Sequence, residues 1–237
     1  MKQTKGRGWI GAGGVALILA STAMQAVAQH GHLNAGAVGQ NAGDRLNFAN
    51  GDIFAASSGY VKELPLADSG AYAGYYQGSL TFTALPGTVD NGGPAAGAAA
   101  AGSFLMVGIT SVTGPAGGSF GFWESGAAAP TFSYSVGYDV ASPTGLWALS
   151  DVSAGAGLAG GDPYGHLHGR RFTATEPGLY TVEFRLFDTS VNGPGGGPIH
   201  TPSGELAIRF EAVPEPTVMA LVGLGGLGLM LVRRRRR

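Results

Sequence analysis

Apolar side chains recur at every second position in several short stretches of this chain. Phe132, Tyr134, Val136 and Tyr138 form one row, and Tyr180, Val182, Phe184 and Leu186 a second, with Glu183 and Arg185 turned the other way. Leu206, Ile208 and Phe210 form a third, beside Arg209 and Glu211. Successive side chains of a strand point to opposite faces, so each row predicts a strand with one buried face. Leu80 with Phe82, and the run from Phe104 to Ile109, predict further strands. Between them, Gly93 to Gly102, 114-GPAGG-118 and 192-NGPGGGP-198 are too rich in Gly, Pro and Ala to form elements and read as loops. Pro177-Gly178 supplies turn dihedrals between Phe172 and Tyr180, which are placed to face a core; this predicts a hairpin. Short strands at this spacing predict an all-β fold, an antiparallel β-sandwich of Ig-like or jelly-roll-like type over residues 29–212.

The two ends break this pattern. Lys2, Lys5 and Arg7 precede an apolar run from Ile10 to Ala20 and then Ala26-Val27-Ala28, the small-x-small pattern that signal peptidase accepts. Residues 1–28 therefore read as a signal-peptide helix, with Gln29 as the mature N-terminus. At the other end, Thr217 to Val232 carries no charge over 16 residues. As a helix it would span about 24 Å at 1.5 Å per residue, and the arginines beyond it can extend that reach by snorkelling. Five consecutive arginines stay cytoplasmic under the positive-inside rule, which places the body outside.

Composition sharpens this picture. Glycine is 43 of 237 residues and charged residues are 12%, which suits strands and turns rather than helices. Residues 29–212 hold six basic against fourteen acidic residues, a net −8, and such an exported body argues against nucleic acid as a partner. With no cysteine, neither a disulfide nor a thiolate ligand is available. No nucleophile elbow, P-loop or H-E-x-x-H motif is present, so the body reads as non-enzymatic. Trp123 and Trp147 could stack on a sugar, although core packing is the simpler role.

Four of the five histidines fall into two H-x-H pairs, His30 with His32 and His166 with His168; the fifth is His200. Positions i and i+2 of an extended segment share a face, about 6 to 7 Å apart at Cα. Two imidazoles so placed can converge on one cation. Two pairs would complete a tetrahedral Zn²⁺ site, with His200 as an alternative ligand, and imidazole also suits copper and nickel. Three histidines and a water would make an open site suited to hydrolysis. Asp162, Asp188 and Glu205 stand near in sequence, to orient a ring or bind directly. The competing reading is a structural or matrix-associated surface protein whose histidines are incidental.

Two resemblances carry further. The order Pro214-Glu215-Pro216, a Gly/Leu-rich apolar helix (217–232) and a terminal Arg cluster resembles the PEP-CTERM sorting signal of exported bacterial proteins, over residues 213–237. That resemblance implies recognition and cleavage by an exosortase-type membrane enzyme near Pro-Glu-Pro. The chain would be anchored transiently in the inner membrane and then pass to the cell surface. The segments 30-HGHLNAGA-37, 165-GHLHGRRFTATEPGLYTVEFRLFDTS-190 and 198-PIHTPSGE-205 are similar to a small group of PEP-CTERM proteins controlled by the zinc-uptake repressor, which implies extracytoplasmic zinc handling. Had processing followed Gln29, an N-terminal His30 would resemble the copper site of polysaccharide oxygenases; the Ala-Val-Ala pattern points one residue earlier.

Overall fold

The computed structural model describes residues 32–85 and 97–214. The signal peptide, the apolar tail helix, Glu215, Pro216 and His30 lie outside the described residues. Among the described residues no helix is long and apolar enough to cross a membrane.

Among the described residues thirteen strands run in the order β1 (His32–Ala37), β2 (Leu46–Phe48), β3 (Val61–Pro65), β4 (Tyr76–Gly78), β5 (Thr81–Ala84), β6 (Leu105–Thr113) and β7 (Ser119–Trp123). They continue with β8 (Phe132–Ser135), β9 (Leu146–Ala148), β10 (Gly165–His166), β11 (Arg171–Ala174), β12 (Gly178–Asp188) and β13 (Leu206–Val213). Three sheets result: β10-β5-β1-β2, β4-β11-β7-β8 and β3-β13-β12-β6-β9.

The fold is mostly β, as the alternation predicts, but it departs from a two-sheet antiparallel sandwich. The described residues form three sheets, and β1 runs parallel to β5 and β3 parallel to β13. Each parallel pair joins strands far apart in sequence, and local periodicity cannot see such pairing. The expected hairpin at Pro177-Gly178 is also corrected. β11 pairs with β4 and β7, whereas β12 pairs with β13 and β6, so the turn carries the chain from one sheet to another. Tyr180 holds that corner. Its hydroxyl donates to the Glu176 carbonyl at 3.0 Å, and its ring lies where a side chain on Gly114 or Gly118 would stand.

The predicted inward rows of β12 and β13 are buried, Tyr180, Val182, Phe184 and Leu186 completely so. The Phe132–Tyr138 row is interrupted: β8 stops at Ser135 and Gly137 takes φ 94°, turning Tyr138 back beside Tyr134 with ring centroids 4.8 Å apart. One aromatic core joins the sheets. Phe82 of β5 meets Phe184 of β12 at 5.3 Å and Phe172 of β11 at 6.0 Å, while Phe122 of β7 stacks on Trp147 of β9 at 4.0 Å. Trp123 and Trp147 are both buried, the former donating its indole N–H to Thr173 Oγ1 at 2.9 Å. Core packing, not sugar stacking, is their observed role. Ala98 to Ala100, read from sequence as loop, belong to no strand yet are buried.

Candidate functional site

Sheet pairing brings the histidines together. His32 opens β1 opposite Thr81 of β5, and His166 closes β10 opposite Thr83 of the same strand. Residues paired across a sheet, and those two apart on a strand, share a face. His32, Thr83 and His166 therefore stand on one side of β5. The rings of His32 and His166 have centroids 4.5 Å apart, those of His166 and His168 4.3 Å, and those of His32 and His168 6.2 Å.

Backbone fit explains part of this placement. At Gly165 an added Cβ would run into the Leu149 carbonyl, so only glycine lets β10 lie against that segment. Gly169, at φ 87°, turns the chain after His168 towards β11. Thr83 Oγ1 lies 3.3 Å from His32 Nδ1. With Nδ1–H donating to that hydroxyl, Nε2 is the bare nitrogen, the usual arrangement of a ligating imidazole.

His166 Nε2 is shut away from solvent and has no hydrogen-bond partner. Burial first, and then the neighbouring His32 and His168, hold its pKa below the ordinary 6.5. A neutral ring is the ligating form. The three rings meet edge-on or tilted, as packed neighbours, and among the described residues no group of three or more His, Asp or Glu side chains forms a ready-made metal cage. Rotation about χ angles would be needed to aim three nitrogens at one point.

The five predicted ligands divide. His32, His166 and His168 come together, and His30 lies outside the described residues. His200 has a different job, which corrects its assignment as a ligand. It is 2% exposed, its Nε2 accepts the Ala100 N–H at 2.9 Å, and its Nδ1 lies 2.9 Å from the Asp44 carbonyl, to which it donates. Both nitrogens are thus used to tie two loops together.

Two of the carboxylates named as helpers are likewise structural. Asp188 accepts backbone N–H groups of Phe104, Ser190, Ile199 and His200 at 2.9 to 3.1 Å, and Asp162 Oδ1 accepts that of Tyr164 at 2.9 Å. Glu205 is exposed; burial first, and then the Glu205 charge, raise the pKa of Glu183.

Sequence reasoning missed a cavity of ≈ 210 Å³ beside the histidines. His32 and His168 line it, as do Lys62, Arg170 and Arg171, and its apolar wall includes Phe82, Phe122, Trp147 and Phe172. The doublet Arg170-Arg171 next to His168 was the one available sequence signal; Lys62, more than a hundred positions away, offered none.

Comparison with known proteins bears on the tail. Residues 212–237 match the PEP-CTERM protein-sorting motif, starting on the last two residues of β13. The chain is accordingly an exported, β-rich protein bearing a sorting tail, and that motif implies exosortase processing and sorting to the cell surface. No curated protein and no solved structure matches the chain.

Proposed function

We propose that the body is a non-enzymatic, surface-sorted metal-binding domain that takes Zn²⁺ through His32, His166 and His168. One observation carries this reading. Three of the five imidazoles, from segments over 130 positions apart, meet within 4.3 to 6.2 Å, and one of their nitrogens is buried without a partner. A buried acceptor left unsatisfied costs about 1–3 kcal/mol, which a bound cation would offset. His30, two positions before His32, is the remaining imidazole for a four-nitrogen set, and a water would serve equally. The similarity to zinc-regulated PEP-CTERM proteins agrees with zinc handling outside the cytoplasm.

The lack of a preformed cage favours a second reading, a structural surface protein in which the three rings merely pack. Calorimetric titration of Zn²⁺, Cu²⁺ and Ni²⁺ into the full-length protein in detergent separates the two. Zinc is expected to bind at one site, at least tenfold more weakly in His166→Ala/His168→Ala. No heat of binding, or an unchanged affinity in the double variant, leaves the structural reading standing.

A further inference from the structure

We infer that the cavity beside the histidines is a binding site for a small organic carboxylate with a flat apolar body. The argument begins with charge. The acidic body from 29 to 212 has only six basic side chains, and three of them, Lys62, Arg170 and Arg171, line this one cavity. Spread over an exported surface for solubility alone, they would not gather there.

The three cations are not equivalent. Arg170 is already engaged, donating to both Glu124 carboxylate oxygens at 2.9 and 3.1 Å and to the Ala148 carbonyl at 2.6 Å. It forms a fixed wall, with its guanidinium carbon 5.9 Å from the Phe122 ring centroid. No ion pair to Lys62 or Arg171 occurs among the described residues; the one ion pair there is Arg170–Glu124. Glu63, next to Lys62 on β3, points to the opposite face of the strand and is exposed.

Lys62 is held at the cavity by the fold. It shares a strand face with buried Leu64, and its Cε lies 3.4 Å from where a Cβ on Gly78 would stand. The lysine stem thus passes beside Gly78 of β4, which lies opposite Phe172 in the neighbouring strand. Burial first, and then the nearby Arg171, lower the Lys62 pKa against the opposing pull of Glu63, so the two cations feel each other at the cavity.

The apolar wall decides the rest of the ligand. Phe82, Phe122, Trp147 and Phe172 border the cavity from the core, each at most 5% exposed, and with Leu80 and Leu167 they make that wall apolar. An apolar cavity of about 150 Å³ suffices to hold benzene, so ≈ 210 Å³ accommodates a ring with a carboxylate at the cationic end. A carboxylate accepts bidentate donation from a guanidinium and an ammonium, whereas a bare inorganic anion would leave the aromatic wall unused.

The test is titration of the full-length protein with benzoate in metal-free buffer, so that it stands apart from the zinc reading. Benzyl alcohol and inorganic phosphate serve as comparators. Benzoate is expected to bind saturably, at least tenfold more tightly than either comparator, and at least tenfold more weakly to Lys62→Met/Arg171→Met. Lys62→Arg, which keeps the charge, should retain affinity within a few-fold and guards against a folding defect in the double variant. Equal binding of benzoate and benzyl alcohol, equal binding of phosphate, absence of benzoate binding, or an unaltered double variant would each overturn the proposal.

Discussion

Two histidines show how the same side chain takes opposite roles. His200 spends both ring nitrogens on backbone groups of other loops, so it is a spacer. His166 has a buried nitrogen with no partner and two imidazoles for neighbours, so its neutral form is favoured. The sign of the pH effect follows. His166 in the unfolded chain protonates near the ordinary 6.5 and the folded ring only at lower pH. The unfolded state thus binds more protons in that window, and the stability present above pH 6.5 drains away as pH falls towards the folded pKa. An NMR titration of the metal-free protein should give a His166 midpoint below 6.5, moving back up in His32→Ala. A midpoint at or above 6.5 would show that the ring is solvated and disfavour it as a preorganised ligand.

At the scale of elements, β10 is the weak link. It has two residues, Gly165 and His166, and its place depends on the close approach to Leu149 that only glycine permits. Gly165→Ala should cost about 1–3 kcal/mol through overpacking. It should also push His166 away from His32, so zinc affinity is expected to drop by more than the change in denaturation midpoint alone suggests. Calorimetry beside a chemical denaturation curve checks this; retained affinity at normal stability would mean that β10 can shift without cost. By contrast, β12 and β13 are long and pair over seven residues, a robust frame that the alternation in sequence displays plainly.

For the whole molecule, the tail and the body separate address from chemistry. The motif over 212–237 governs where the chain goes, and the described body holds His32, His166, His168 and the cavity. Replacing Pro214, Glu215 and Pro216 by alanine should leave metal and benzoate binding intact but hold the chain in the membrane fraction. Fractionation of cells with an active exosortase reads this out, and normal surface release of the variant would contradict the sorting role of those residues.

Periodicity, composition and the tail motif determined a β-rich exported body, its central strands and its route to the surface, because alternation and targeting signals are written in neighbouring residues. The pairing of the two H-x-H segments was half legible. Their i, i+2 spacing suggested shared faces, and the three-ring cluster agrees, but nothing local could tell His200 from the other imidazoles. Only tertiary structure decided that Pro177-Gly178 changes sheets, that β1 and β3 join their sheets in parallel, and that His32 lies across β5 from His166. It alone set Lys62 beside Arg171. Those outcomes depend on contacts between residues up to 148 positions apart, as in the pairing of Arg209 with Val61, and no periodic pattern records such a choice.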